Sequence, residues 1–349
     1  MFLVSVNIVS NRIVNLVVKS QRATKWSRRI KRAVISLLVF SVLVWANNSS
    51  LLSSSPTGKA ELLAHRGLHQ TFEIKGLKWN SNTAAIIHPP EHSYIENTIP
   101  SMEAAFAAGA DMVEFDVRLT KDRKLAVFHD YSLEHRTDGR GLIEDATMEE
   151  LRKLDVGYGY TADGGETYPL RGKGVGLMVS IEEVLKKFPN KRFLIHVKSG
   201  GEESGRILVE LFRSKSPEWL EGVGVYGGQD ANDVINAVFP SVKTHSYRSL
   251  KKAFISYELL GWTGYIPEAM RETQFQIHLK YASYIWGWPD KFLNRMSKVN
   301  TRVILVNGDG GWSEGFDSED ELKLIPKGFN GLIWSNKADR VAKSEMFQP

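Results

Sequence analysis

The 349-residue chain is 42% hydrophobic and 24% charged, the balance of a globular protein rather than of a disordered or wholly membrane-embedded one. It has no cysteine, which excludes disulfide scaffolds, zinc–thiolate centres and thiol nucleophiles. The net charge of +5 does not point to nucleic acid, because residues 1–32 hold eight Lys/Arg and no acid, leaving 37 basic against 40 acidic residues in the remainder.

The basic cluster Lys25 to Arg32 runs straight into Ala33–Ala46 (AVISLLVFSVLVWA), fourteen residues without a charge. That is short for a spanning helix, which needs about 20 residues, and suits the core of a signal peptide. Val44 and Ala46 stand at the −3 and −1 positions of a small-residue cleavage site before Asn47. The stretch ahead of the apolar core is long for a signal, so residues 1–46 read as a signal peptide or as an uncleaved membrane anchor. Positive charge on the N-terminal side keeps that end in the cytoplasm, and either route exports the rest, to a periplasmic or extracellular location. Membrane association would run through residues 33–46; a cytosolic protein with a buried apolar helix is the alternative. Residues 47–60, rich in Ser and Asn, read as a flexible linker.

From 61 to 349, short apolar runs alternate with segments of helical spacing. The expected strands are Leu62–His65, Met112–Asp116, Leu125–His129, Phe193–Lys198, Val223–Tyr226, Val242–His245, Phe275–Leu279, Val303–Val306 and Gly331–Trp334. Expected helices include Ile99–Ala108, Met148–Leu154, Ile181–Phe188, Gly205–Phe212, Ala231–Val238 and Lys291–Lys298. Continuous apolar strands separated by helices indicate an α/β fold with a covered parallel sheet, and the length matches a (β/α)8 TIM barrel. Nine strand candidates compete for eight places, so either Leu125–His129 is a side hairpin or Phe275–Leu279 is not a barrel strand. A doubly wound open sheet is the alternative, although no Gly-rich nucleotide loop follows any strand. Trp79–Tyr94 reads as an ordered insertion, and Asp163–Gly176 as a Gly-rich active-site loop.

The chemistry gathers at strand ends: His65-Arg66-Gly67, Glu114-Phe115-Asp116, His129-Asp130 and His196-Val197-Lys198. In a barrel these ends open onto one face. Glu114 and Asp116, two apart on a strand, point the same way and suit a hard divalent cation such as Mg²⁺ or Ca²⁺. Arg66 and Lys198 supply positive charge for a phosphate. The two histidines provide an acid and a base that work near neutral pH, and Gly67 lets the backbone approach a ligand. Singly, each of these residues is as well explained as ordinary structure; it is their recurrence at successive strand ends that argues for a site.

The stretch Glu96-Asn97-Thr98 followed by Gly109–Val117 (GADMVEFDV), then Thr120-Lys121-Asp122, Val127-Phe128-His129-Asp130, Arg136–Gly139, Thr147–Asp155 and Gly331–Asn336, resembles the glycerophosphodiester phosphodiesterase family, within the phosphatidylinositol-phosphodiesterase-like barrels. The resemblance implies that Glu114 and Asp116 bind the metal, Arg66 holds the phosphate, and His65 and His129 are the acid/base pair. It also implies attack by the substrate's own glycerol hydroxyl, giving a cyclic phosphate that water opens. Glu96 is implied as a supporting residue, at the metal or beside Arg66. Where the family has Glu-x-Lys, this chain has His196-Val197-Lys198; His196 is expected as a metal ligand, turning preference toward Mn²⁺ or Zn²⁺. The aromatic stretch Trp262–Pro289 reads either as packing or as a wall for a choline-like group or acyl chain, while His69, His88, His92 and Trp312 fall in mouth loops without an assigned role. The leading expectation is metal-dependent hydrolysis of a small glycerophosphodiester to glycerol 3-phosphate and an alcohol. A phospholipase D acting on lysolipids, or a non-catalytic phosphate- or lipid-binding relative, are the competing expectations.

Overall fold

The computed structural model describes residues 26–78, 81–309 and 314–348. Arg12, Lys19, Arg22, Lys25, Trp79 and Trp312 lie outside them. The apolar runs form nine strands: β1 (Glu61–His65), β2 (Met112–Leu119), β3 (Leu125–Val127), β4 (Arg192–Val197), β5 (Gly224–Gly227), β6 (Lys243–His245), β7 (Gln274–His278), β8 (Arg302–Val306) and β9 (Leu332–Ser335). Eight of them run in the order β6-β5-β4-β2-β1-β9-β8-β7, all parallel. The ring closes between β6 and β7 through the Thr273 hydroxyl, which donates to Thr244 O at 2.6 Å.

The ninth candidate is thereby accounted for. Leu125–Val127 is the side hairpin, antiparallel on β2 with Val127 opposite Val117, and β7 belongs to the barrel. Residues alternate along each strand. On β1, Leu62 and Ala64 face the helical layer, whereas Leu63 joins Met112, Leu194, Ile304, Leu332 and Trp334 inside the barrel. A second core under the insertion, around Ile95, Phe128, Leu133, Tyr160 and Leu170, anchors the segment that follows the hairpin.

Helix Ile99–Ala108 starts where expected because Thr98 and Ser101 form a reciprocal cap, and it stops at Gly109 with φ 116°. The helix Tyr247–Leu260, absent from the sequence expectation, carries Ile255, Leu259 and Leu260 on exposed positions, which blurs its apolar stripe. Ahead of the barrel, helix Trp26–Asn48 is 23 residues long, extends past the fourteen-residue apolar core at both ends, and has none of its apolar window buried. Residues 47–60, expected as a flexible linker, are tied to the barrel by their Ser and Asn groups. Asn48 Nδ2 donates to Trp262 O at 2.8 Å, Asn294 Nδ2 to Ser54 O at 2.8 Å, and Asn330 Nδ2 to Thr57 O at 2.8 Å.

Candidate active site

A cleft of about 1080 Å³ opens at the C-terminal ends of the strands, and His65, Arg66, His129, His196 and Lys198 all line it. Its position follows from the pairing register: His65 of β1 lies beside Glu114 of β2, and Asp116 beside His196 of β4. His129 arrives differently. It is not at a barrel strand end but on the loop after β3, so the antiparallel hairpin turns it back over the mouth.

The turn after β1 bends sharply. Arg66 has φ 55° and Gly67 has φ 75°. A left-handed non-glycine residue is uncommon and clusters at functional sites. It points the Arg66 backbone N–H at Glu114 Oε2, 3.2 Å away. Gly67 is required by this chain's own packing, since a Cβ there would meet Ser101 Oγ at 2.6 Å.

The histidines are wired alike but not identically. His65 Nδ1 lies 2.7 Å from Asn336 Oδ1, and His129 Nδ1 lies 2.7 Å from Asp130 Oδ1. Both partners are acceptors, so in each ring Nδ1 carries the proton and Nε2 is left with its lone pair. His65 Nε2 accepts from Arg66 Nε at 3.1 Å. Asp317 in turn accepts from the Asn336 backbone N–H at 2.6 Å and side-chain amide at 3.1 Å, while Arg136 pairs with Asp130. Burial and the Arg66 charge hold His65 well below its ordinary range and lower His129 to about 4. The buried His69 packs edge-on against the His65 ring, centroids 5.2 Å apart.

Arg66 bridges Glu96 Oε1 at 2.8 Å and Asp116 Oδ2 at 3.3 Å. Glu96 also contacts Arg136 at 3.2 Å, and these two guanidiniums lower its pKa to about 2 against the opposing effect of burial. The fold therefore brings Glu96 to Arg66 rather than to the carboxylate cluster. Glu114 and Asp116 are both fully enclosed. Burial, then repulsion from Asp116, raises the Glu114 pKa. Asp116 stays ionised despite burial because Lys198 and Arg66 face it.

Ligand atoms of Glu114, Asp116 and His196 lie within 4.8 Å of one another. His196 Nδ1 is 3.0 Å from Asp116 Oδ1, yet that buried oxygen has no well-formed hydrogen bond among the described residues. Two crowded buried carboxylates, one with an orphaned lone pair and both facing an imidazole held to about pKa 3 by burial and Lys198, form a donor set that fits a divalent cation.

Several residues beyond the sequence expectation complete the site. Tyr226 donates to Glu114 Oε1 at 2.8 Å and stacks on the His196 ring at 3.9 Å. Asn97, with φ 58°, braces Asp116 twice, donating from Nδ2 to Oδ2 and accepting from the backbone N–H, each at 3.0 Å. Asp130, Asn97 and Asn336 were visible as neighbours in the motifs; Tyr226 had only its place at the end of an expected strand. None of the described residues 262–289 lines the cleft, so the aromatic stretch is no wall for a head group there. Trp286 instead donates to Glu258 O at 2.9 Å, and Trp288 packs on Phe292 and Phe329. His88, which lines the cleft, pairs with Thr71 at 3.0 Å, and His92 pairs with Gln70 at 3.1 Å.

Residues 65–283 match the model of the glycerophosphoryl diester phosphodiesterase family. YhdW of Bacillus subtilis, whose name gives it provisionally as a glycerophosphodiester phosphodiesterase, is 40% identical over 248 residues, covering 68% of this chain and 88% of its own. The glycerophosphodiester phosphodiesterase of Caldanaerobacter subterraneus is 28% identical over 72% of this chain and 93% of its own. Among solved structures, a glycerophosphodiester phosphodiesterase of Agrobacterium tumefaciens superposes with a TM-score of 0.53 at 16% identity, covering 82% of this chain and 97% of its own. A phosphodiesterase of Oleispira antarctica, in complex with the product sn-glycerol-3-phosphate, does so with 0.51 at 19% identity, covering 80% and 94%. At such identities the structural likeness speaks for the barrel alone.

Proposed function

This chain belongs to the glycerophosphoryl diester phosphodiesterase family, and from that premise we propose that it hydrolyses water-soluble glycerophosphodiesters to glycerol 3-phosphate and an alcohol by acid–base catalysis between His65 and His129. The observation that carries the assignment of residues is the matched wiring of the two rings. Each is fixed through Nδ1 at 2.7 Å to an acceptor and both rings line the same cleft, with His65 Nε2 held by Arg66 Nε at 3.1 Å.

Arg66 and Lys198 bind the phosphate, Arg66 steered by Glu96 and Lys198 by Asp116, 3.4 Å from its ammonium. One histidine takes the proton from the glycerol hydroxyl as its oxygen bonds to phosphorus. The other enters the step as the imidazolium, its Nε2 proton held beside the negative charge of the bound phosphate, and gives that proton to the departing alcohol oxygen as the second P–O bond breaks. The two exchange roles when water opens the resulting cyclic phosphate, as microscopic reversibility requires. His129 is the stronger base of the pair, because a carboxylate faces its Nδ1 where a neutral amide faces that of His65. Glu114, Asp116 and His196 would hold a divalent cation, which supplies charge neutralisation at the non-bridging oxygens when bound. Mg²⁺ or Ca²⁺ suits the two carboxylates, and the imidazole extends the range to Mn²⁺ or Zn²⁺. The N-terminal apolar helix fits an exported enzyme, acting in the periplasm or outside the cell.

Phosphorus-31 NMR of the full chain with glycerophosphocholine or lysophosphatidylcholine, metal supplied, tests this reading. Glycerol 3-phosphate from the first substrate, faster than any product from the second, is expected. Release of phosphocholine, or preference for the lysolipid, would refute it.

A further inference from the structure

Helix Trp26–Asn48, 23 residues and about 34 Å long, has the length and apolarity to cross a bilayer, whose hydrocarbon core is about 30 Å thick. Its last turn is not free. Asn47 and Asn48 donate to Trp262 O at 3.1 and 2.8 Å, and Arg295 donates to Asn48 Oδ1 and Asn47 O, each at 3.0 Å. Phe40, about 10 Å back along the helix, meets the Trp262 ring edge-on at 5.5 Å.

The residues around this joint are apolar and exposed: Leu259 at 67%, Leu260 at 44% and Tyr265 at 54% on the barrel, and Leu51 at 85% just beyond the helix. All lie at one end of the barrel. Residues 259–265 join helix Tyr247–Leu260 to the start of β7, and residues 49–60 lead into the start of β1. The catalytic cleft is at the other end, beyond the last residues of the same parallel strands. Strand β1, which runs from one end to the other, is five residues or about 17 Å long.

We propose that helix Trp26–Asn48 is kept as a span and that the Leu259-Leu260-Trp262-Tyr265 patch seats the barrel on the phospholipid bilayer, so that the cleft opens away from the membrane. The patch is continuous with an apolar helix none of whose apolar window is buried among the described residues, and Trp and Tyr are the residues that settle at a bilayer interface. The consequence for substrate rests on the phosphodiesterase reading: a phosphodiester dissolved in water reaches the cleft, whereas a lysolipid held in the supporting bilayer does not.

The chain has no cysteine, so single-cysteine variants place one fluorophore each. Leu259→Cys and Tyr265→Cys report the patch, and the exposed cleft-rim change Glu73→Cys reports the mouth. The full-length variants are labelled with an environment-sensitive fluorophore in phosphatidylcholine–phosphatidylglycerol vesicles, then quenched with nitroxide lipid or with iodide. Labels at 259 and 265 should be quenched by the lipid and be several-fold less sensitive to iodide than the label at 73. Equal iodide sensitivity at all three overturns the seating, as does shielding of 259 and 265 from both quenchers, which a second copy on the patch would give. Lipid quenching at 73 overturns the orientation. Glycerophosphocholine turnover by the same variants separates the two readings: loss of turnover with the expected quenching pattern condemns the activity and leaves the seating intact.

Discussion

At the scale of single residues, the candidate site is a set of buried imidazoles, His65 fixed by an amide and His129 by a carboxylate, and the wiring can be tested one link at a time. Asn336 accepts from His65 Nδ1, and Asp317 fixes Asn336 in turn. Asn336→Ala should lower kcat roughly ten- to a hundredfold, the usual effect of removing an orienting partner, with KM and thermal stability little changed. A matching rise in KM would mean that Asn336 binds substrate instead. For His196, calorimetric titration of the His196→Ala protein with Mn²⁺ should give weaker binding than the parent; unchanged affinity would remove it from the cation site. The residue types and spacing made His65, His129, Glu114 and Asp116 legible from the sequence, because each sits in a run with a family pattern. Tyr226 was not legible. Its bond to Glu114 depends on β4 and β5 lying side by side, a relation no local pattern carries.

At the scale of elements, two devices bring the site together. One is the turn at Arg66-Gly67, where the backbone stays left-handed for two residues. Gly67→Ala puts a Cβ 2.7 Å from Ser101 C on top of an unfavourable φ of 75°. The change should cost about 1–3 kcal/mol from the backbone alone, read as a lower urea midpoint, together with lost activity. The other is the Thr98–Ser101 cap, which starts helix Ile99–Ala108 directly after Glu96 and Asn97. Thr98→Ala should destabilise by about 1 kcal/mol and, by loosening Asn97 from Asp116, weaken metal binding. Strand positions could be read from apolar runs, and the barrel from their number and spacing. Which of two candidates left the barrel could not, since neither Leu125–His129 nor Phe275–Leu279 carries a local mark of the strand it pairs with. The antiparallel pairing of β3 on β2 decides it, and the same pairing carries His129 to the mouth.

At the scale of the whole molecule, burying so many ionisable groups in one cleft makes folding sensitive to acid. His129 and His69 have pKa values lowered to about 4 and about 3, chiefly by burial, against about 6.5 unfolded. The unfolded chain therefore binds protons first, and the stability present above pH 6.5 is lost as pH falls toward 4 and then 3. Glu96 adds a loss of the same sign below about 4.5, because its folded pKa is about 2. The metal-free protein should show a urea midpoint that drops steadily from pH 7 to pH 4; a flat profile would mean the histidines are solvated. The apolar run within helix Trp26–Asn48 was legible in the sequence, but its docking on the end of the barrel opposite the cleft required the three-dimensional joint at Trp262 and Arg295. The claim on which the rest depends is that His129 moves a proton at a metal-assisted phosphodiester centre. Its most direct test is glycerol 3-phosphate release from glycerophosphocholine by the parent and His129→Ala proteins, before and after chelation. The parent should lose activity to chelator and regain it with added divalent metal, and His129→Ala should be slower by about 10²–10⁴-fold. Turnover that survives chelation, or a His129→Ala protein as active as the parent, would contradict it.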